Sequence, residues 1–527
     1  MATSNDQSQE HCPKREVMSL CPVCLERISG HYIYDAEQSS VRLEKTCPKH
    51  GIFSTPVWRG APFMDTWRKG KIPTPPMPWN AVDKGCPFDC GLCARHAQHT
   101  CTAVLDITSR CNLRCRFCFA DSGSGALAPA LAHYDEPVST SPLDLDTSHV
   151  MDLLNKVHAQ SGQCNLQLSG GEPTLHPDLC AIIAHAKTLF PFVQLNTNGI
   201  IIGRRQGFAK ALADAGLDSV FLQFDGTENE IYGQLRGAPW LETKLRAIDA
   251  LGEAGIGVVL VPTVVPSVNT HNIGEIVQFA VGKAPIVRGV HFQPVSHFGR
   301  HPSCKHLNSQ NKIVDASNVL NNIGPTDAER VSLPEVMQAL ESQTNGMVAV
   351  EDFLPPSCEH ELCSFHANYL VSEDGLLQRV SAPHRPLDID EAKAIPACDG
   401  AMASRAFVRR QWKAPEVIKE NATPSHSCCS PNAWQKMPIV TAPQTTEIAN
   451  NKNNTQAKID DLDRFLARAK THMFAVSGMA FQDVWTLDLE RLRGCCIHAV
   501  APDGRLVPFC SWNCTAADGT PLHRNKV

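Results

Sequence analysis

The sequence predicts an α/β protein built on a partial (β/α)6 barrel, with a small N-terminal metal-binding knuckle and a C-terminal α+β region. Three observations support this: two cysteine pairs near the N-terminus, six apolar runs alternating with amphipathic segments, and further cysteines after residue 350. Such alternation is typical of a parallel sheet with outer helices, and six units suit a partial barrel better than a closed eight-unit barrel. We divide the chain into a knuckle at 1–60, a strap and first cysteine island at 61–101, the barrel at 102–300, a C-terminal region at 301–384 and 456–527, and an insertion at 385–455.

Length and composition limit the class of protein. A chain of 527 residues is too long for one compact core, and its 43% apolar content is typical of a folded protein. The net charge of −6, without a basic stripe, argues against a nucleic-acid partner. The polar N-terminus predicts no secretory signal, and no apolar run is long enough for a transmembrane segment, although peripheral membrane contact stays open. We therefore expect a cytoplasmic protein whose 23 cysteines serve mainly as metal ligands.

The N-terminal knuckle pairs Cys21-Pro-Val-Cys24 with Cys47-Pro-Lys-His50 across a segment, 31–45, whose alternation predicts a hairpin. It resembles a zinc ribbon or a rubredoxin, in which two tight turns present four ligands tetrahedrally. We predict that Cys21, Cys24, Cys47 and His50 hold one mononuclear iron or zinc ion. Cys12 is a substitute for His50, and the alternative is a three-thiol site with His50 as a solvated turn residue.

A proline-rich segment, 54–84, follows the knuckle and predicts an extended strap rather than a helix. The next island, Gly85-Cys-Pro-Phe-Asp-Cys-Gly-Leu-Cys93, spaces three thiols by three and then two residues. With Cys101 as a fourth ligand, Cys86, Cys90 and Cys93 can hold an auxiliary [4Fe-4S] cluster, and zinc is the alternative. We expect His96 and His99 in this island to be solvated.

The barrel is predicted from its periodicity. Apolar runs that predict strands fall at 103–107, 165–168, 192–195, 219–224, 257–265 and 289–293. Amphipathic segments that predict helices fall at 148–159, 179–189, 208–215 and 272–281. Polar residues follow the first four strands, at Cys111, Gly170–Glu172, Asn196–Gly199 and Gln223–Gly226. Because ligands of such sheets lie at the carboxyl ends of the strands, we place the active site there.

The loop Cys111-Asn-Leu-Arg-Cys115-Arg-Phe-Cys118 is the central feature of the sequence. Three thiolates from one short loop can hold three irons of a [4Fe-4S] cluster, which leaves the fourth iron free for a small molecule. A structural zinc site is the alternative, but it usually needs four protein ligands.

The C-terminal region is predicted to hold a second auxiliary cluster. A helix is expected at 333–341, a hairpin turn at Asp374-Gly375, and another helix at 459–470. A hairpin turning at 502–504 brings Cys496 near Cys510, and with Cys358 and Cys363 they form the predicted ligand set; Cys495, Cys398 and Cys514 are substitutes. The alternative is that the hairpin only packs on the open side of the barrel. Residues 382–460 are polar and predict mostly a loop or flexible insertion.

The chain resembles the radical S-adenosylmethionine (radical SAM) enzymes in two motifs: the Cys-x3-Cys-x2-Cys loop with Phe117 before its third cysteine, and Ser169-Gly-Gly-Glu-Pro173. The resemblance implies that the amino and carboxylate groups of SAM chelate the open iron, and that one electron then yields a 5′-deoxyadenosyl radical. It assigns Cys111, Cys115 and Cys118 to the catalytic cluster. It also implies cofactor-binding roles for Phe117, Gly170, Gly171, Glu172, Asn198 and Gln223, with Asn198 and Gln223 near the ribose.

Within that superfamily the chain resembles archaeal tetraether lipid synthases and the related class D radical SAM methylases. The resemblance rests on the knuckle, the 85–93 island, Val476–Asp483 and Cys495-Cys-Ile-His498. It implies three [4Fe-4S] clusters, one for SAM and two auxiliary, a mononuclear metal, and an external electron donor of the ferredoxin or flavodoxin type.

The implied reaction is hydrogen abstraction from an unactivated sp3 carbon, with C–C bond formation on a lipid-like substrate. The alternatives are a class D methyltransferase that acts on a pterin and a non-catalytic Fe-S or zinc module. An apolar tunnel to the SAM site would favour the lipid, and a compact polar pocket would favour the pterin.

Overall fold

The computed structural model describes residues 15–35, 39–67, 69–122, 141–302, 324–380, 394–415 and 455–524. The N-terminal unit is a four-stranded antiparallel sheet in chain order, formed by β1 (Glu16–Leu20), β2 (Arg27–Asp35), β3 (Ser40–Cys47) and β4 (Gly51–Arg59). The predicted hairpin is present, because β2 pairs with β3 in a register that places His31 opposite Glu44. Buried Tyr32 and Leu43 join this sheet to the main hydrophobic core.

The strap has little regular structure, as the prolines predict. It contains the short strand β5 (Lys71–Ile72), which pairs in parallel with a later strand. Trp67 is fully buried, and its indole Nε1 donates to the Glu361 carbonyl at 3.0 Å. The strap is therefore anchored on the C-terminal region.

The centre of the molecule is a twelve-stranded mixed sheet whose middle is parallel. The barrel strands are β6 (Thr102–Thr108), β7 (Asn165–Gly170), β8 (Val193–Thr197), β9 (Ser219–Gln223), β10 (Gly257–Val261), β11 (Thr263–Val264) and β12 (Val287–Pro294). Strands β6, β7, β8, β9, β10 and β12 are neighbours in that order, and β11 pairs with β12. The expectation of a partial barrel with six parallel units is confirmed.

Helices connect these strands. They are α1 (Thr147–Ser161), α2 (Leu179–Leu189), α3 (Ile200–Arg204), α4 (Phe208–Asp214), α5 (Asn229–Arg236), α6 (Leu241–Glu253) and α7 (Ile273–Gly282). Apolar side chains of both layers are fully buried against one another, for example Leu168 and Val220 on strands and Ile183, Ile248 and Ile276 on helices. Burial of this apolar surface stabilises the barrel.

The C-terminal region extends the same sheet at both edges. It contains α8 (Leu333–Gln343), β13 (Ser364–Val371), β14 (Leu377–Arg379), β15 (Ile395–Pro396), α9 (Ala397–Trp412), α10 (Thr455–Thr471), β16 (Met473–Met479), α11 (Leu489–Arg493), β17 (Ile497–Val500), β18 (Leu506–Pro508) and α12 (Phe509–Asn513). At one edge of the barrel sheet, β16 pairs in parallel with β12, and β13 and then β14 follow as antiparallel strands. At the other edge, β17 pairs in parallel with β6, and β18 pairs antiparallel with β17. Strand β15 is the partner of β5. The C-terminal hairpin therefore pairs directly with the barrel sheet.

Five short 3-10 helices complete the regular structure of the described residues: Pro173–Leu175, Thr270–Asn272, Asp327–Glu329, Val350–Asp352 and Glu361–Cys363. Within the described ranges, no helix is both long enough and apolar enough to cross a membrane.

One part of the predicted insertion differs from expectation. Instead of a loop, α9 is a 16-residue helix that packs near β10, β12 and β16. Its buried residues include Ala397, Gly400 and Ala401, and a Cβ on Gly400 would lie 2.1 Å from the Ser357 carbonyl oxygen. The small side chains of α9 allow the helix to lie close to its neighbours. They do not produce the strong apolar periodicity by which a helix is recognised in a sequence, so the prediction of a loop was wrong here. Residues 381–393 and 416–454 of the same insertion lie outside the described residues.

Candidate functional site

A cavity of about 510 Å³ runs from the loop 111–118 into the barrel. One wall is formed by the loop and strands β7, β8 and β9, and the other by β12, β13, β16 and α9. Residues that follow the strands, including Gly171, Glu172 and Asn198, lie at the loop end of this cavity. Its position at the carboxyl ends of parallel strands makes it the candidate active site.

The loop 111–118 is held from two sides. Arg300 and Cys118 exchange backbone hydrogen bonds of 2.9 Å, and Arg300 Nε donates to the Cys115 carbonyl at 2.9 Å. Across the loop, Asn198 Nδ2 donates to Asn112 Oδ1 at 2.7 Å. These contacts fix the backbone that carries the three thiols.

The three thiols of the loop line the same cavity and fit a [4Fe-4S] cluster with one open iron. Burial, followed by repulsion from the Cys115 thiolate, raises the pKa of both Cys111 and Cys118, so a bound cation is needed to hold them as thiolates. Two other cysteines also line the cavity, Cys101 and Cys496, but they group with a different thiol. The loop therefore offers three ligands rather than four, as the sequence predicts.

Phe117 also lies at this cavity. Its ring packs edge-on against His297 with the ring centroids 6.1 Å apart. The predicted cofactor-binding role of Phe117 stays a prediction.

The two glycines after β7 lie directly beside the base of the loop. The Gly171 N–H donates to the Thr108 carbonyl at 2.8 Å, and a Cβ on Gly171 would lie 2.0 Å from the Arg110 carbonyl oxygen. Gly170 has a φ of +132°, a conformation that side chains disfavour. Only glycine permits this close approach of the two backbones, and the contact leaves Gly170 and Gly171 exposed to the cavity.

Glu172 is buried and ties the end of β7 to the end of β8. Its carboxylate accepts hydrogen bonds from Thr174 N at 3.1 Å, Thr174 Oγ1 at 2.6 Å, Thr197 Oγ1 at 2.6 Å and Asn198 N at 2.7 Å. Burial raises the pKa of Glu172, and these hydrogen bonds oppose the rise. The carboxylate therefore positions the strand ends, and its contact with a cofactor stays a prediction.

Asn198 and Gln223 both line the cavity but are held by neighbouring groups. Asn198 Oδ1 accepts from Ile200 N at 3.0 Å, while its amide nitrogen is engaged by the cluster loop. Gln223 Oε1 accepts from Lys244 Nζ at 3.3 Å, and burial lowers the pKa of that lysine to about 8. Their predicted roles at the ribose of SAM remain predictions.

Sequence analysis missed a buried ion pair at this site. Arg236, on α5, donates two hydrogen bonds of 2.7 Å to the Asp225 carboxylate and interacts with the Cys115 thiol. The pair therefore places a fixed guanidinium beside the cluster loop. Asp225 lies in the polar segment that follows the fourth predicted strand, but no local pattern singles out Arg236.

The predicted N-terminal metal set comes together. The ligand atoms of Cys21, Cys24, Cys47 and His50 all lie within 4.8 Å of one another, with His50 Nδ1 at 3.5 Å from Cys21 Sγ and 3.4 Å from Cys47 Sγ. This arrangement can hold one ion and favours the four-ligand interpretation over three thiols. Cys12 lies outside the described residues.

The structure regroups the auxiliary cysteines. Cys101 does not join the 86–93 island; its thiol lies within 4.8 Å of those of Cys358 and Cys496. All three are buried, and hydrogen bonds from Cys358 and then Cys496 hold the pKa of Cys101 well below its usual range. The predicted set of Cys86, Cys90, Cys93 and Cys101 is corrected accordingly, because pairing of β17 with β6 brings Cys496 beside Cys101.

The other predicted auxiliary set is divided as well. While Cys358 and Cys496 join Cys101, burial and then the neighbouring Cys510 and Cys363 raise the pKa of Cys495, so these three thiols form a second group. Arg491 Nη2 lies 3.3 Å from Cys363 Sγ, so a positive charge lies beside the group formed by Cys363, Cys495 and Cys510. Cys495, a substitute in the sequence analysis, therefore replaces the two lost members.

Three thiols of the island, Cys86, Cys90 and Cys93, line a small separate cavity together with His96. His96 is not solvated as expected: it is 3% exposed, and its Nε2 lies 3.1 Å from His498 Nε2. Burial lowers the pKa of His96 to about 4. His99 is half-buried.

Comparisons with known proteins agree with this architecture. Residues 105–280 match the radical SAM superfamily, and residues 14–59 match the HMPTM N-terminal zinc ribbon domain. A 7,8-dihydro-6-hydroxymethylpterin dimethyltransferase from Methanocaldococcus jannaschii is 30% identical to this chain, over 98% of this chain and 95% of that protein.

Other similarities are partial. A probable GTP 3′,8-cyclase from Methanothermobacter thermautotrophicus is 26% identical over 37% of this chain and 58% of that protein. The FeFe-hydrogenase maturase HydG from Carboxydothermus hydrogenoformans has a TM-score of 0.32 and 13% identity, covers 47% of this chain and 52% of that chain, and is too dissimilar to support an inference. With its barrel matched to the superfamily and a relative aligned along nearly its whole length, this chain belongs to the radical SAM superfamily.

Proposed function

We propose that this radical SAM enzyme methylates a pterin, with a one-carbon donor as the source of the methyl groups and an external reductant as the source of electrons. The proposal adopts the second of the two substrate classes considered from the sequence, and C–C bond formation on a lipid-like substrate becomes the less supported alternative. Its main support is the relative whose name describes dimethylation of 7,8-dihydro-6-hydroxymethylpterin and which aligns over 98% of this chain.

The chemistry of the cavity wall favours a polar heterocycle. Amide side chains at Gln167, Asn196, Gln293 and Asn368 line the cavity together with aromatic rings such as Phe221. Asn196 and Asn368 each have a buried oxygen without a partner among the described residues, and an alkyl chain, which forms no hydrogen bonds, would leave both oxygens unpaired at a cost of about 1–3 kcal/mol each. A flat ring with several N–H and C=O groups can satisfy them.

The cofactors of the superfamily are SAM and a [4Fe-4S] cluster, and when bound they supply a one-electron cleavage that gives a hydrogen-abstracting radical. Cys111, Cys115 and Cys118 would hold the cluster, and Arg300 and Asn198 keep their loop in place. Gly170 and Gly171 expose backbone at the cavity, and Glu172 fixes that backbone through its hydrogen bonds. Residues of α9, among them Phe407 and Trp412, cover part of the cavity on its other side.

A reductant must deliver the electron, and we propose a ferredoxin or flavodoxin in the cytoplasm. The further thiol groups, Cys86/Cys90/Cys93 and Cys101/Cys358/Cys496, would hold auxiliary metal centres. The second of these is next to the cavity, since Cys101 and Cys496 line it. That position suits electron exchange with the substrate.

The test combines an assay with cell extracts. Anaerobically reconstituted enzyme with SAM and dithionite should form 5′-deoxyadenosine faster when 7,8-dihydro-6-hydroxymethylpterin is added. Cells that express the enzyme should accumulate pterins heavier by one or two methyl groups, detected by mass spectrometry, and cells that express the Cys115→Ala variant should not. An unchanged pterin pool together with no pterin-dependent SAM cleavage would reject the proposal, and stimulation by lipid extract instead would support the lipid alternative.

A further inference from the structure

The strand register brings two asparagines to the same level of the cavity. Asn196 on β8 is opposite Phe221 on β9, and the register continues through Val259, Gly289 and Ala475 to Asn368 on β13. Side chains at one level of a sheet point to the same face, and both asparagines line the cavity. Phe221 belongs to the same row and lines the cavity beside Asn196, whereas the small residues Gly289 and Ala475 lie on the Asn368 side of the row.

Both asparagines carry a buried amide oxygen without a partner among the described residues. The Asn196 amide belongs to a chain of hydrogen bonds that ends at the Ser219 hydroxyl. Asn196 Nδ2 donates to Gln167 Oε1 at 3.2 Å, Gln167 Nε2 donates to Gln194 Oε1 at 2.9 Å, and Gln194 Nε2 donates to Ser219 Oγ at 3.2 Å. Because each nitrogen in the chain is a donor, the Asn196 oxygen is left as a free acceptor.

Aromatic rings lie beside these acceptors. Phe221 stacks on His291 with centroids 5.6 Å apart and an interplanar angle of 26°, and Trp412 of α9 packs on Phe221 at 4.8 Å. Phe221, His291 and Trp412 all line the cavity. Such rings provide an apolar contact surface for a flat ligand.

Buried acceptors without partners are uncommon in folded proteins because each costs about 1–3 kcal/mol. Two of them at one level, beside aromatic rings in a cavity, indicate a ligand that supplies donors. We propose that Asn196 and Asn368 bind the substrate, accepting hydrogen bonds from N–H groups of a planar nitrogen heterocycle. This inference rests on the proposed function, in which the ligand is a pterin, whose aminopyrimidinone ring carries adjacent N–H donors.

The test replaces each amide by an isosteric apolar side chain. Asn196→Leu and Asn368→Leu should each raise the KM for 7,8-dihydro-6-hydroxymethylpterin by about tenfold or more, as the loss of one hydrogen bond to a buried partner predicts. Iron and sulfide content per chain, measured on the same preparations, should match wild type, since neither side chain belongs to the cluster loop. The control is Asn155→Leu, the same change at an exposed position on α1.

A modified substrate provides an independent readout. An N-methylated pterin lacks one donor, so wild type should bind it about tenfold more weakly than the parent compound, and the variant that has lost the matching acceptor should bind both compounds equally. If the Asn368→Leu variant does not fold, Asn368→Ser replaces it in the test, because serine also lacks the amide oxygen and is a smaller, polar side chain.

The outcomes separate the two proposals. If wild type methylates the pterin and both variants keep the wild-type KM, the assignment of Asn196 and Asn368 is wrong while the proposed function stands. If wild type neither binds nor methylates the pterin, the proposed function fails, and the assignment to a pterin fails with it.

Discussion

The two walls of the cavity differ in origin and in how far their polar groups are satisfied. One wall comes from β7, β8, β9 and the loop between β6 and α1, consecutive parts of the chain, and there Glu172 accepts four hydrogen bonds from the protein itself. The other wall combines β12, β13, β16 and α9, and there Asn368 has an unpartnered buried oxygen. The first wall therefore satisfies most of its polar groups through its own hydrogen bonds, with the Asn196 oxygen as an exception, whereas the second wall is assembled from segments that are distant in the chain.

The largest effect should follow a change in the first wall. Cys115→Ala removes one of three thiols of the cluster loop, so SAM cleavage should fall by at least about a hundredfold. Formation of 5′-deoxyadenosine under dithionite measures it. The matched control is Cys180→Ala on α2, whose partly buried thiol lies 3.9 Å from the Ala211 carbonyl and packs against the main core, away from the cluster loop, and should be dispensable for SAM cleavage. If the Cys115→Ala variant cleaves SAM at nearly the wild-type rate, the loop in the first wall does not hold the catalytic cluster, and the comparison of the two walls fails.

The next effect concerns the metal sites that border the second wall. Because Cys101, Cys358 and Cys496 share one site, Cys101→Ala and Cys358→Ala should each remove the metal of that site, and the double variant should remove no more. Cys86→Ala combined with Cys101→Ala should remove the metal of two sites. Metal and sulfide content per chain, with electron paramagnetic resonance of each variant, measures this. Additive loss in the Cys101/Cys358 pair would instead support separate sites.

A smaller effect is expected for Glu172→Gln in the first wall. An amide nitrogen would face donors such as Thr197 Oγ1 and Asn198 N, so at least one buried donor would lose its acceptor. The free energy of unfolding should drop by about 3 kcal/mol, and SAM should bind more weakly. Urea unfolding of the holoenzyme and SAM titration measure both, with the exposed Glu253→Gln as control. A variant as stable as wild type would contradict the positioning role.

The smallest effect is a pH dependence in the second wall. Burial lowers the pKa of His291 to about 4, so the folded protein keeps this imidazole neutral while the unfolded chain protonates it below about 6.5. The unfolded state then binds more protons, and stability falls as pH drops from about 6.5 to about 4. The His291→Phe variant keeps an aromatic ring beside Phe221. Between about pH 6.5 and about pH 4, its free energy of unfolding should fall by about 2 kcal/mol less than that of wild type.

The measurement is urea unfolding at pH 7 and pH 4.5, with His271→Phe, a change at an exposed position, as the control. An equal pH slope in wild type and His291→Phe would show that His291 does not determine this acid sensitivity.

The sequence predicts the first wall far better than the second. Strands β6 to β9 and the residues after them belong to local patterns, so Cys111, Gly171 and Glu172 could be placed at one edge of a sheet before the structure was known. Asn368 and Trp412 could not, because their arrival at the cavity depends on β13 and α9 packing against strands far away in the chain. Pairing of distant strands also decides which thiols meet, and spacing alone assigned Cys101 to the wrong neighbours.

Attachment of C-terminal strands to both β6 and β12 has a consequence for biosynthesis. A nascent chain that ends at Pro294 has β6 and β12 as unpaired edge strands of its parallel sheet. Unpaired edge strands can pair with strands of other chains. Metal insertion at the Cys101 site must wait for Cys496 to emerge. The Cys101 site is therefore complete only when nearly the whole chain has been made.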